Sequence, residues 1–208
     1  MVGAAPAVDA EDHYRALLAA ADAVVAADAA GPWCAALGRM PDMIVGDFDS
    51  ADPDEIDRLE RLGVSVERHP CDKDETDLEL AVRVARERWA HPVCLTAAFS
   101  DRIDHTLAAI GALLGAGPGA WVAEPSWRAW PCCPERPLRV SLERGTTYSI
   151  VALGPCEGVT ARGGRWVLSD AILAPLSGHG ISNEAAGGEL TISVRDGSLL
   201  VVANDGSV

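Results

Sequence analysis

Met43-Ile44-Val45, Gly46-Asp47-Phe48-Asp49-Ser50 and Asp52-Pro53, read in succession, decide how this chain folds. The first three residues are an unbroken apolar run, as a strand covered on both faces requires. The next five turn polar and leave the sheet. Asp52 can cap the free N–H groups of a helix start, and Pro53 suits a first turn, where its missing N–H costs nothing. Ile56, Leu59 and Leu62 recur at a spacing of three, and Gly63 ends the helix. Val64-Ser65-Val66 then reads as the next strand. Strand, polar loop, helix and strand in this order predict a parallel βαβ unit.

The same alternation continues on both sides of this unit. Ala23 to Ala27, Val93 to Ala97 and Ala120 to Ala123 read as further buried strands, and Val2 to Ala5 as the stub of one more. Thr76-Asp77-Leu78-Glu79 has the form of a capping box, followed by Leu78, Val82, Ala85 and Trp89 on one helical face. His105 to Leu114 reads as another helix. The expectation is a three-layer, Rossmann-like α/β domain with a mostly parallel sheet over residues 1–131. Pro131-Cys132-Cys133-Pro134-Glu135-Arg136-Pro137 then reads as a linker. Beyond it helical patterns vanish. Leu138 to Leu142 and Tyr148 to Leu153 read as strands, and Leu190 to Val194 and Ser198 to Val202 flank Arg195-Asp196-Gly197, a hairpin signal. Residues 138–208 are therefore expected to form a small antiparallel β-sandwich.

Composition narrows the partners. With 17 basic and 31 acidic side chains among 208 residues, the net charge is −14. Such a chain repels nucleic acid and anionic membranes, and binds a phosphate-rich ligand best through a metal cation. The six cysteines form no C-x-x-C pair, so neither a zinc site nor a disulfide framework is expected. The opening residues lack the pattern of a signal peptide, and no run reaches the roughly 18 apolar residues of a membrane span. A reducing cytoplasm is the expected setting.

The chemistry concentrates after the strands. Asp28 follows the first, Asp47 and Asp49 the second, Lys73, Asp74, Thr76 and Asp77 the third, and Asp101, Arg102, Asp104 and His105 the fourth. In a parallel sheet these loops share the carboxyl edge, where ligands of open α/β folds bind. So many aspartates repel one another unless a cation joins them, and Mg2+ suits hard oxygen ligands and phosphates. Each motif also has a plainer reading. Asp47 and Asp49 can begin a turn, with Ser50 or Asp52 as the cap. Thr76 and Glu79 can serve as a capping box alone, and Asp104 can cap its helix. Lys73 can be a solvated lysine and His105 a hydrogen-bonded helix residue. Convergence of four loops is what favours a site.

The same residues resemble a known family, the thiamine pyrophosphokinases. Gly46-Asp47-Phe48-Asp49-Ser50 is similar to that family's glycine-aspartate-x-aspartate-serine motif. Lys73-Asp74-x-Thr76-Asp77 with Glu79, Arg102-x-Asp104-His105 and Gly180-Ile181-Ser182-Asn183 resemble its later motifs in order. Asp28 resembles the aspartate of an early alanine-aspartate-glycine-glycine motif. The likeness runs from about Val24 to Val202. Two departures stand out: Ala29 and Ala30 replace the early glycine pair, and Ser100-Asp101 replaces a glycine pair before the arginine. Glycines at such loops let backbone amides approach phosphates.

The resemblance implies transfer of a diphosphoryl group from ATP to thiamine, with release of AMP. It implies Mg2+ held by Asp47, Asp49 and Asp77, with Asp74 a weaker ligand. Lys73 and Arg102 would contact phosphate oxygens, with Asp28, Thr76, Asp104 and His105 around the nucleotide. Either Asp49 or Asp77 would accept the alcohol proton. Trp166, Ser182 and Asn183 would hold thiamine, the tryptophan face attracting a cationic heterocycle. Their plainer readings are a core tryptophan and a tight turn. A homodimer is implied as well. Two other readings stay open from sequence: a nucleotide- or thiamine-binding homologue impaired by the glycine replacements, and an acidic phosphohydrolase using Asp47 as nucleophile.

Overall fold

A computed structural model of the chain describes residues 1–89 and 92–204 and divides it into two units, Met1–Ala120 and Trp121–Val208. In the first unit, β1 (Val25–Ala27), β2 (Met43–Gly46) and β3 (Ser65–Arg68) form a parallel sheet in the order β1-β2-β3. Ala26 lies opposite Ile44, and Ile44 opposite Val66. Val2 bridges in parallel to Ala26 on one side and to Thr96 on the other, so the opening segment joins β1 to β4 (Cys94–Leu95). Its amides are committed to that role: Val2 N donates to Val25 O at 2.9 Å and Gly3 N to Thr96 O at 2.9 Å.

Every residue of β1 and β2 is buried, which explains why neither run alternates in sequence. Their side chains alternate between two cores instead. Ala26 and Ile44 pack with Tyr14 and Leu18 of α1 (Glu11–Ala20), Cys34 of α2 (Ala30–Ala36), and Ile56 and Leu59 of α3 (Pro53–Arg61). Val25, Ala27, Met43 and Val45 pack with Leu80, Ala81, Val84 and Ala85 of α4 (Asp77–Arg88), and α5 (Ile103–Gly115) lies along α4. The unit is a three-layer α/β/α domain. Asp52 caps α3 by accepting from Asp54 N at 3.0 Å, with Pro53 in the first turn. Sequence periodicity did not reveal α2, because Gly31 and Pro32 interrupt it. Gly31 is required there: a Cβ would come within 2.5 Å of Ile44 Cδ1, so the helix rests almost directly on the sheet.

The second unit is an antiparallel sandwich. Its strands are β5 (Trp121–Glu124), β6 (Trp127–Cys132), β7 (Leu138–Leu142), β8 (Thr147–Ala152), β9 (Cys156–Arg162), β10 (Leu168–Leu173), β11 (Asn183–Glu184), β12 (Gly188–Ser193) and β13 (Leu199–Asn204). Within this unit one sheet runs β10-β9-β12-β7, and the strands of the other run β11-β8-β13-β6-β5. Leu142, Tyr148, Ile150, Val159, Leu173, Leu190, Ile192 and Val201 fill the space between them.

Two expectations need correction. The run at Ala120 to Ala123 gives β5, which turns back on β6 with Val122 opposite Ala129. The two units divide at Ala120/Trp121, and the proline-rich stretch read as a linker is partly strand, with Pro131 opposite Leu200. Beyond Ala129 that edge of β6 has no β5 partner, and a proline is tolerated on such an edge. Nor does Arg195-Asp196-Gly197 close a hairpin: β12 and β13 belong to different sheets. The turn hydrogen-bonds to Glu157, with Arg195 N and Glu157 N each at 3.0 Å from their acceptors, and carries the chain across the sandwich. Leu190 and Ile192 thereby share one core with Leu199 and Val201. No helix among the described residues is long and apolar enough to cross a membrane.

Candidate active site

The carboxyl ends of the parallel strands bring three of the predicted acidic loops together. Asp28 follows β1 in a left-handed conformation with φ 48°, and is only 7% exposed. Gly46 allows this approach, since a Cβ there would lie 3.2 Å from Asp28 Cα. Ser50 Oγ donates to Asp28 Oδ2, while Asp28 Oδ1 is buried with no hydrogen-bond partner. Beyond β2, Phe48 is also left-handed, with φ 60°, and Asp49 N donates to Asp47 Oδ1 at 3.3 Å. The guanidinium of Arg68, at the end of β3, lies 5.7 Å from the centre of the Phe48 ring.

Lys73 joins the loops. Its ammonium pairs with Asp47 Oδ2 and forms an ion pair with Asp77 Oδ1 at 3.2 Å. The hydrogen bond from Lys73 holds the Asp47 carboxyl below the usual carboxylate range. Burial pushes the Asp77 carboxyl above it; Lys73 opposes that shift, while Asp47 and Asp28 reinforce it by repulsion. Although burial pulls the Lys73 ammonium down, its two carboxylate partners hold its pKa above the ordinary lysine value. Thr76 caps α4 in a reciprocal box: Glu79 N donates to Thr76 Oγ1 at 3.2 Å, and Thr76 N to Glu79 Oε2 at 2.9 Å. The box fixes the turn that carries Asp77.

Other predicted residues stand apart from this cluster. Asp49 and Asp74 are exposed. Arg102 and Asp104 pair with each other at 2.7 Å, both largely exposed at the start of α5, and His105 beside them is exposed. Among the described residues, no group of three or more His, Cys, Asp or Glu side chains is arranged to hold a metal ion. The donor set nevertheless suits Mg2+. Two carboxylate oxygens, Asp28 Oδ1 and Asp77 Oδ1, are buried and unbonded, and both belong to the hard-oxygen class this ion prefers. Mg2+ commonly takes one or two protein carboxylates and completes its shell with water and phosphate.

The glycine replacements sit comfortably. Ala29 has φ −61° and leads into α2, and the left-handed residue of that turn is Asp28 itself. Neither Ser100 nor Asp101 has a positive φ. Ser100 braces its turn, its Oγ accepting from Arg102 N at 3.2 Å and its carbonyl from Thr106 Oγ1 at 3.0 Å.

In the sandwich unit, Trp166 is 54% exposed, so the core reading of this residue fails. Asn183 is the buried one, 6% exposed. Its Oδ1 accepts from Trp166 N at 3.1 Å and Glu184 N at 2.8 Å, and its Nδ2 donates to Trp166 O at 2.7 Å. Ser182 is exposed and left-handed, with φ 58°, and its N donates to Ser149 Oγ at 3.1 Å. Sequence reading missed three contacts here and in the first unit. Arg165 lies 4.8 Å over the Trp166 ring and 3.6 Å from Glu184, and Ser50, read as a possible helix cap and as the end of a motif, holds Asp28.

Comparison with known proteins identifies the family. Residues 14–118 match the thiamin pyrophosphokinase catalytic domain, and residues 137–199 match the thiamin pyrophosphokinase vitamin B1 binding domain. Among solved structures, a thiamin pyrophosphokinase family protein from Enterococcus faecalis superposes with a TM-score of 0.83 at 20% identity, covering 99% of this chain and 98% of that one. Thiamine pyrophosphokinase from Bacillus subtilis gives 0.80 at 20% identity, with 99% and 98% covered. The enzyme from Candida albicans gives 0.76 at 15% identity, with 98% and 88% covered. These likenesses establish the shared fold. No curated protein matches the chain by sequence. The two domain matches, in order and spanning most of its length, place the chain in the thiamin pyrophosphokinase family.

Proposed function

We propose that this chain transfers the diphosphate of ATP to the hydroxyl of thiamine, giving thiamine diphosphate and AMP. The observation that carries the reading is the cluster of Asp28, Asp47, Asp77 and Lys73 at the carboxyl ends of three strands. Phosphoryl-group transfer asks a protein mainly for alignment and charge neutralisation, and such a cluster offers both. The thiamine hydroxyl oxygen attacks the β-phosphorus, the bond from that phosphorus to the α,β-bridging oxygen breaks, and AMP leaves with the electron pair. The alcohol proton passes to a carboxylate. Of the two candidates, Asp77 has a buried, unbonded Oδ1, whereas Asp49 is exposed.

Asp47, Asp49 and Asp77 would hold Mg2+, directly or through water, and Asp28 remains a nucleotide-side candidate. When bound, the ion supplies positive charge to the phosphate oxygens and helps align them. Lys73 adds a second positive charge, and Arg102, now paired with Asp104, is free to exchange that exposed partner for a phosphate. Asp74, Thr76 and His105 remain nucleotide-side candidates. Trp166 is exposed and would offer its ring to thiamine, and Ser182 is exposed next to Asn183, which holds the Trp166 backbone.

The relaxed backbone at Ala29, Ala30, Ser100 and Asp101 favours an active enzyme over an impaired homologue. Incubation with ATP, Mg2+ and thiamine should yield AMP and thiamine diphosphate in equal amounts, as chromatography would show. Binding without product would support the impaired homologue, and free phosphate the hydrolase. We also propose that the chain works as a homodimer, as the family resemblance implies. Light scattering should then return twice the 21.8 kDa mass of one chain; a monomer at working concentration would remove that part of the reading.

A further inference from the structure

The loop between β9 and β10 is held to the rest of the sandwich as though it were a strand. Gly163 O accepts from Ala186 N at 2.9 Å, Gly164 bridges Ala185, and Arg165 N donates to Glu184 O at 2.8 Å. The next backbone partner in this ladder would come from the segment just before Glu184. There the chain turns away, with Ser182 at φ 58°. The side chain of Asn183 takes the place of the missing peptide group: its amide oxygen accepts from Trp166 N and its amide nitrogen donates to Trp166 O.

The residue type follows from the task. A primary amide presents one acceptor and one donor side by side, as a peptide group does. Aspartate offers no donor, and serine or threonine has only one polar atom. Burial makes the substitution matter, because backbone groups left unpaired away from water are costly. The loop cannot readily settle elsewhere. A Cβ on Gly163 would meet Glu189 O at 2.3 Å, and one on Gly164 would meet Tyr148 Oη at 2.0 Å, so the backbone runs pressed against the sandwich.

We infer that Asn183 is a positioning residue, which presents the Trp166 ring to the substrate and does not itself touch it. All its fork-facing atoms are committed to backbone, while Trp166, on the clamped segment, is the exposed member. The inference rests on the proposed function in so far as the presented ring receives thiamine.

Two measurements test it. Protein labelled with 5-fluorotryptophan, without ligand, gives a 19F signal for Trp166 that is identified by its loss in Trp166→Phe. Asn183→Ala should shift or broaden that signal and leave the others in place. In steady-state kinetics, Asn183→Ala should raise KM for thiamine about 10-fold, and the same change should add less than about 2-fold once Trp166→Ala is present. An unmoved Trp166 signal would overturn the clamp. A full penalty persisting in the Trp166→Ala background would show direct contact between Asn183 and substrate, and so overturn the positioning role. If Asn183→Ala does not fold, Asn183→Asp, which keeps the acceptor and loses only the donor, is held to the same outcomes. If the unaltered protein makes no thiamine diphosphate, the functional reading fails, and the 19F measurement alone still decides the clamp.

Discussion

Asp47→Asn and Asp77→Asn should each reduce turnover more than about 100-fold, with melting temperatures close to that of the parent. The expectation follows from what each carboxylate does. Asp47 is the partner that Lys73 engages by hydrogen bond, and its lowered pKa keeps it charged. Replacing it by an amide leaves the ammonium to Asp77 alone and removes a negative charge where a cation and triphosphate must be aligned. The charge of Asp77 is opposed by burial and by two neighbouring aspartates. Making it neutral removes that repulsion, so stability should hold while catalysis falls. Neither residue belongs to the apolar clusters that hold the sheet. Steady-state rates measured beside thermal melts separate the two effects. Near-normal turnover in both variants, with unchanged melting, would refute the assigned site.

The α/β half was legible because its signals were local. Asp52-Pro53 and Thr76 with Glu79 mark helix starts by chemistry that needs no tertiary partner, and both caps form. The buried runs of β1 and β2 could be recognised because a sheet covered on both faces abolishes alternation. The sandwich was harder, since its strands are assigned to sheets by long-range pairing. Arg195-Asp196-Gly197 has the composition of a hairpin turn, yet its amides bond to Glu157, and nothing local announces that. β9 and β10 were obscured by glycines that make the loop between them possible. Within the site, the sequence revealed which residue types converge, but not how they share hydrogen bonds. Ser50 holding Asp28, Lys73 lying between Asp47 and Asp77, and Asn183 holding the Trp166 backbone depend on side-chain directions that spacing alone does not specify.

Removal of divalent ions should abolish diphosphate transfer, and Mg2+ or Mn2+ alone should restore it. The physical reason is an imbalance of charge. Asp47 and Asp77 share one ammonium, and Asp28 lies near enough to Asp77 to repel its charge, so the cluster carries more negative than positive charge before a triphosphate enters. ATP adds several negative charges, and Lys73 is already committed to two carboxylates. A hard dication offsets that repulsion and gives the buried Asp28 Oδ1, which has no hydrogen-bond partner, a counter-charge. The same reasoning predicts a result that does not depend on turnover. A ligand that binds only the folded state raises the melting temperature, so ATP with Mg2+ should stabilise the protein more than ATP alone. Asp47→Asn and Asp77→Asn should diminish that difference. Rates after thorough chelation, and melts with ATP in the presence and absence of Mg2+, are the measurements. Undiminished turnover in metal-free buffer would mean that Lys73 and the arginines neutralise the phosphates unaided, and the aspartates would then need another role.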